Sequence, residues 1–110
     1  MAQIVKISKT VNETVENTLR KVVSAIKELG FELESIDSRN GTVVCWKYKA
    51  SMKQYKYQCI VFDMGDGSTM CTIRTIDYGE AFKGPLTQWS DSINLFHNSR
   101  KESQKILDRL

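Results

Sequence analysis

The side chains that could carry out chemistry are few and scattered along this 110-residue chain. It contains one histidine, His97, and three cysteines, Cys45, Cys59 and Cys71. A thiol nucleophile needs a nearby base and a position at a strand end or helix start, whereas all three cysteines fall inside predicted strands. An odd number of cysteines with no close pair is typical of buried free thiols. We therefore predict neither a cysteine nucleophile nor a native disulfide.

The acidic residues likewise show no pattern for metal binding or acid–base catalysis. The paired carboxylates are Asp63 with Asp66 and Asp77 with Glu80. Both pairs occur in predicted turns, where acidic residues are frequent because their side chains accept hydrogen bonds from the backbone of the turn. His97 shares no ligand-like spacing with a cysteine or an acid. The glycines between Met64 and Gly67 lack the following helix that a phosphate-binding loop requires. The sequence thus predicts a non-enzymatic protein with no metal and no cofactor.

Apolar and aromatic runs on either side of turn-forming clusters predict an antiparallel meander. Asn40-Gly41 favours a type I′ hairpin turn, because that turn needs positive φ at both central residues. A five-residue link from Ala50 to Gln54 and a turn cluster from Asp63 to Thr69 separate the later runs. The four predicted strands are Phe31 to Asp37, Thr42 to Lys49, Tyr55 to Phe62 and Met70 to Ile76.

Both faces of this meander are apolar, although a sheet packed on one side only should alternate apolar and polar residues. In a symmetric hairpin Cys45 would lie opposite Cys59. One face would carry Val43, Cys45, Tyr57, Cys59 and Val61. The other face would carry Val44, Trp46, Tyr48, Lys56, Gln58, Ile60 and Phe62. Either the chain covers both faces itself, or the second face is an interaction surface.

Helical patterns lie on both sides of the meander. Gln3 to Ser8 predicts a short strand, followed by a helix with an N-cap at Thr10 or Asn12 and a left-handed Gly30 after its end. Pro85 can open a second helix, whose apolar stripe is interrupted by the polar turn His97 to Arg100. The segment is therefore either one long helix or a shorter helix, a kink and a tail helix of Lys101 to Leu110. We predict an α+β fold with the order β-α-β-β-β-β-α. Its antiparallel sheet has about four or five strands, with the helices mainly on one face.

The stretch from Val11 to Thr75, with LGFELESIDSRNGTVVC and GDGSTMCTIRT, resembles small bacterial domains with a TATA-binding-protein-like fold. The resemblance rests on the spacing of glycines and apolar residues. It implies a curved open sheet used for binding rather than chemistry, and it supplies no site residues. The chain lacks the internal duplication of the DNA-binding protein. A second similarity, to helix-grip lipid-binding domains, implies a large cavity, for which too few strands are predicted.

Composition predicts a single folded domain over residues 1–110. Hydrophobic residues make up 41% and charged residues 26% of the chain, which is ordinary for a globular protein. No apolar run is long enough to span a membrane, and the first eight residues lack the features of a signal peptide. We therefore predict a soluble cytoplasmic protein. A leader removed from the parent protein would give the same beginning.

The formal net charge of +3 is small, but its distribution is uneven. Residues 41–62 contain four lysines and no acid: Lys47, Lys49, Lys53 and Lys56. Lysines at strand edges also protect a sheet from edge-to-edge aggregation, so this patch does not by itself indicate a polyanionic partner.

Three classes of binding remain open. The first is protein–protein interaction or self-association through the face that carries Trp46. The second is a small apolar ligand or lipid between the sheet and the C-terminal helix, beside a lip of Tyr78, Phe82 and Trp89. The third, least favoured, is single-stranded nucleic acid stacking on the aromatic residues of the basic hairpin. The face that the C-terminal segment covers distinguishes these classes.

Overall fold

The computed structural model describes residues 6–49, 51–78 and 90–110, and the side chains of 6–48, 51–77 and 98–110. Its elements are β1 (Lys6–Val11), α1 (Val15–Glu28), β2 (Glu32–Asp37), β3 (Thr42–Lys49), β4 (Met52–Asp63), β5 (Thr69–Tyr78) and α2 (Ser90–Leu107). The predicted α+β class and the order β-α-β-β-β-β-α are therefore confirmed.

The five strands form one antiparallel sheet in the order β1-β5-β4-β3-β2. Both helices pack on the same face of this sheet. Val22 and Ile26 of α1 and Ile106 and Leu107 of α2 are at most 1% exposed. They belong to one apolar core with the strand residues Ile7, Val43, Cys45, Tyr55, Tyr57, Cys59, Val61, Cys71 and Ile73. This face is called the helix face below, and the opposite one the open face.

Helix α1 begins later than predicted. Its N-cap is Thr14, whose Oγ1 accepts a hydrogen bond from the backbone N–H of Asn17 at 3.1 Å. The predicted caps are wrong because β1 extends to Val11 and takes Thr10 into its pairing with β5. The predicted end is confirmed: Gly30 has φ +79° and donates to the carbonyl of Lys27 at 3.1 Å.

The β2–β3 connection is not the predicted two-residue turn. Asp37 pairs with Thr42, so four residues form the loop, and only its last residue, Gly41, has positive φ. The Asp37 carboxylate accepts hydrogen bonds from both the side chain (2.7 Å) and the backbone (3.2 Å) of Asn40. These bonds lower the pKa of Asp37. The asparagine is therefore held by the aspartate rather than by a left-handed backbone conformation.

The β3–β4 hairpin has a different register from the symmetric one predicted. Cys45 lies opposite Tyr57, not Cys59, and Val43 lies opposite Cys59. The five-residue link does not exist, since β4 already begins at Met52, which pairs with Lys49. The register slides by two positions, so the pairs change while every side chain keeps its predicted face.

Helix α2 runs without a break through residues 97–100, so the segment is the single long helix of the two predicted alternatives. Ser99 in this turn is fully buried against the helix face of the sheet. Its Oγ lies 2.6 Å from Oγ1 of Thr75, and its carbonyl accepts a 2.7 Å hydrogen bond from the Tyr57 hydroxyl. The polar turn is therefore an internal contact. Pro85 and Trp89 lie outside the described residues.

Candidate functional site

The predicted interaction surface lies on the open face of the sheet. The register pairs Val44 with Gln58 and Trp46 with Lys56, and the alternation of side chains puts the whole predicted set on one side. That set is Val44, Trp46, Tyr48, Lys56, Gln58, Ile60 and Phe62. The described parts of both helices pack on the other side, so the C-terminal segment at residues 98–110 shares the face of α1.

Trp46 is not an exposed docking residue, because the chain itself covers it. It is only 7% exposed. The ammonium groups of Lys53 and Lys56 lie 4.9 Å and 5.6 Å from its ring centroid, and its indole N–H donates to Glu34 Oε1 at 3.1 Å. Lys56 also pairs with Glu34 at 3.1 Å. We call these four residues the Trp46 cluster.

The electrostatics of the Trp46 cluster favour the charged form of its acid. The hydrogen bond from the Trp46 indole, followed by the contact with Lys56, lowers the pKa of the Glu34 carboxyl. Two lysine side chains therefore cover an apolar ring, and the charge of one of them, Lys56, is paired with Glu34. The cluster fills this part of the open face, and the exposed apolar surface lies elsewhere.

Among the side chains that the structure describes, Phe62 is the most exposed aromatic residue of the open face, at 59% exposure. It pairs with Met70 of β5, and Ile60 pairs with Thr72. On the same face, β1 contributes Ser8 and Thr10, and β3 contributes Thr42 and Val44. These eight residues carry no charge and form a continuous area across four strands. We call them the uncharged patch: Ser8, Thr10, Thr42, Val44, Ile60, Phe62, Met70 and Thr72.

Two of the three tyrosines of the β3–β4 hairpin are not available for base stacking. Tyr55 and Tyr57 are fully buried on the helix face. Burial raises the pKa of Tyr57 far above its ordinary value of 10.0, despite the favourable hydrogen bonding with Ser99. Lys47 is on the helix face too, 5.5 Å from the Phe31 ring centroid. The aromatic and basic groups that motivated a nucleic-acid platform are therefore divided between two faces.

Of the predicted pocket lip, Phe82, Trp89 and the side chain of Tyr78 lie outside the described residues. The cavity between the sheet and the described part of α2 is polar rather than apolar, with a volume of about 330 Å³. It is lined by Lys47, Gln54, Tyr55, Asn98 and Glu102. Sequence reasoning missed this site because its members come from two strands and a helix turn with no shared motif.

The three cysteines are fully buried free thiols in the core. Burial raises the pKa of Cys71 to about 12, and the neighbouring Cys45 thiol together with burial raises that of Cys59. Within the described part of the chain, no three potential metal ligands come together.

We expect all three thiols to resist a disulfide reagent at pH 8 in the native protein and to react once it is unfolded, because the thiolate is the reactive form. Since folding raises the pKa values of Cys59 and Cys71 above the ordinary 9.0, the contribution of these two thiols to stability is present below pH 9 and is lost as the pH rises further. Thiol titration with and without urea measures the difference in reactivity between the native and the unfolded protein. Rapid labelling of the native protein would contradict the buried placement.

No protein-family model matches the sequence, and a search of curated proteins finds no similar sequence. In the segments that the structure describes, no helix is both long and apolar enough to cross a membrane.

Proposed function

We propose that this chain is a non-enzymatic binding domain that associates with protein, in the first instance a second copy of itself, through the open face of its sheet. The observation that carries the proposal is the uncharged patch around Phe62. Cores of protein interfaces are depleted of charged residues and enriched in aromatic residues and methionine, and Phe62 pairs with Met70 in this patch.

The absence of charge in the patch favours a second copy as its partner. In a two-fold dimer the same surface meets itself, so every charged group near the axis would face a like charge. The chain has a net charge of +3, and 26% of its residues are charged. A patch of eight uncharged residues is therefore a surface on which two copies can meet without repulsion.

The size of the patch indicates a weak association. Strands lie about 4.8 Å apart and same-face neighbours about 6.7 Å apart, so eight residues cover roughly 250 Å² of sheet. A stable interface buries about 800 Å² on each partner. The rest of the open face, including the Trp46 cluster, would have to contribute, and we expect a dimer that forms only at high protein concentration.

The two alternative functions have less support. A small apolar ligand beneath α2 required the C-terminal segment to cross toward Trp46, but its residues 98–110 pack on the helix face. Single-stranded nucleic acid required exposed tyrosines in the hairpin, and two of its three tyrosines, Tyr55 and Tyr57, are buried. A cytoplasmic location remains a prediction from the sequence.

The proposal is tested by sedimentation velocity over a range of protein concentrations. The wild-type protein should sediment faster as its concentration rises, whereas Phe62→Ser should stay monomeric because it removes the exposed ring. Ile36→Ser is the matched control, since Ile36 is 47% exposed and pairs with Val43, whose side chain is on the helix face. A wild-type monomer at the highest concentration, or equal weakening by both variants, would reject self-association through this face.

A further inference from the structure

The polar cavity between the β3–β4 hairpin and α2 is independent of the open face. Gln54 reaches it because of a bulge in the hairpin: Lys47 pairs with Tyr55 and Tyr48 with Lys53, so Gln54 has no partner on β3. Bulges re-aim side chains and are frequent beside binding sites. Gln54 is 8% exposed and lines the cavity with the buried Tyr55.

Two side chains of opposite charge lie in this cavity but are too far apart to form a direct hydrogen bond with each other. Lys47 Nζ lies 3.9 Å from Glu102 Oε2, beyond the 2.7–2.9 Å typical of a charge-assisted hydrogen bond. The other oxygen of Glu102 pairs with Lys105 at 3.0 Å. Glu102 Oε2 is buried and accepts no hydrogen bond from any described residue. A buried carboxylate oxygen without a donor is unfavourable, so an ammonium group of a ligand that reached this atom would satisfy it.

The Lys47 ammonium is the complementary half of the site. Its side chain is 27% exposed, and Gln54 and Asn98, whose side chains carry amide N–H groups, line the same cavity. An ammonium together with amide N–H groups suits a carboxylate. Glu102 Oε2 suits an ammonium. A ligand with a single charge would be attracted by one of the two groups, Lys47 or Glu102, and repelled by the other.

We infer that this cavity binds a small zwitterionic molecule of the free amino acid class, with its ammonium at Glu102 and its carboxylate at Lys47, Gln54 and Asn98. The volume of about 330 Å³ is at the small end of ligand pockets and accommodates a molecule of this size. The site lies on the helix side of the sheet and does not depend on the dimer proposed above.

The direct test is calorimetric titration of the wild-type protein with the standard L-amino acids at millimolar concentration. Ethylamine and propionate serve as probes that carry one charge each. We expect at least one amino acid to bind and to raise Tm by mass action, and both probes to bind at least about 10-fold more weakly. If no amino acid gives heat or a Tm shift, or if a single-charge probe binds equally well, the inference is wrong.

Three variants locate the binding. Lys47→Gln and Glu102→Gln each remove one charge and should weaken amino acid binding by about 10- to 100-fold, the usual effect of losing a charged hydrogen bond. Arg109→Gln is the control, because it removes a cation just after the end of α2 that pairs with Glu28 outside the cavity. It should leave the affinity unchanged.

Circular dichroism of each variant separates lost binding from lost folding. If Glu102→Gln does not fold, Asn98→Ala replaces it, since Asn98 is exposed and lines the same cavity. Folded variants that all keep wild-type affinity would place the binding elsewhere and overturn the assignment. Self-association measured on Lys47→Gln should match the wild-type protein, so failure here is distinguishable from failure of the dimer proposal.

Discussion

Trp46→Ala should lower the free energy of unfolding by about 3 kcal/mol, near the lower end of the range for removing a large buried aromatic side chain. The ring is 7% exposed, and the substitution also leaves Glu34 without the indole hydrogen bond. The loss of unfolding free energy should stay below the upper end of that range, because the flexible side chains of Lys53 and Lys56 can partly fill the space that the ring leaves. Urea unfolding followed by circular dichroism measures the change.

Phe62→Ala is the control for Trp46→Ala, because Phe62 lies on the same face at 59% exposure. It should change the unfolding free energy by about 0.5 kcal/mol or less, as is usual for surface positions. If Trp46→Ala cost no more than Phe62→Ala, the Trp46 cluster would not be packed as described. Loss of the dimer in Trp46→Ala could therefore result from lower stability as well as from a weaker interface. Phe62→Ser changes an exposed residue, so its effect reports on the interface alone.

Gly41→Ala should lower the free energy of unfolding by about 3 kcal/mol or more, through two effects at one position. A left-handed backbone costs an L residue about 1–2 kcal/mol, and Gly41 has φ +65°. A Cβ atom there would also lie 2.6 Å from the carbonyl oxygen of Val61. The backbone cannot move away easily, because the Val61 N–H donates to the Gly41 carbonyl at 2.8 Å.

Gly65→Ala separates the two effects. Gly65 has φ +82°, but no atom lies within 4 Å of its added Cβ. This variant should lose only about 1–2 kcal/mol, the cost of the backbone conformation alone. Equal losses in the two glycine variants, measured by thermal or urea unfolding, would show that the approach of β4 to Gly41 is not close.

The sequence predicted well those features that depend on local periodicity. The alternation of apolar residues assigned each side chain of β3 and β4 to its face, and the glycine after the first helix identified its end. Both follow from geometry within a few residues, and neither depends on partner strands. The face assignment of Trp46 and Phe62 was correct for this reason.

Features that depend on partner elements could not be read from the sequence. The register of the β3–β4 hairpin depends on where the chain reverses and on the bulge at Gln54. A shift of the register by two residues leaves every side chain on the same face, so the alternation of apolar residues cannot reveal it. The sequence could not decide between a continuous and a kinked α2, because the polar partners of Ser99, Thr75 and Tyr57, lie on distant strands. The burial of Trp46 comes from the side chains of lysines, which hydropathy counts as polar.

The sheet order also constrains the sequence of events in folding. Strands β2 to β5 are joined by short hairpins, whereas β1 pairs with β5 across 58 to 68 positions, from Val11 with Thr69 to Lys6 with Arg74. Closing the longer loop costs more entropy, so the meander can form before β1 arrives. Lys9 of β1 donates to the carbonyl of Leu107 at the end of α2, which couples the two ends of the chain. An opening limited to these ends would expose the edge of β5 while the hairpins stayed intact.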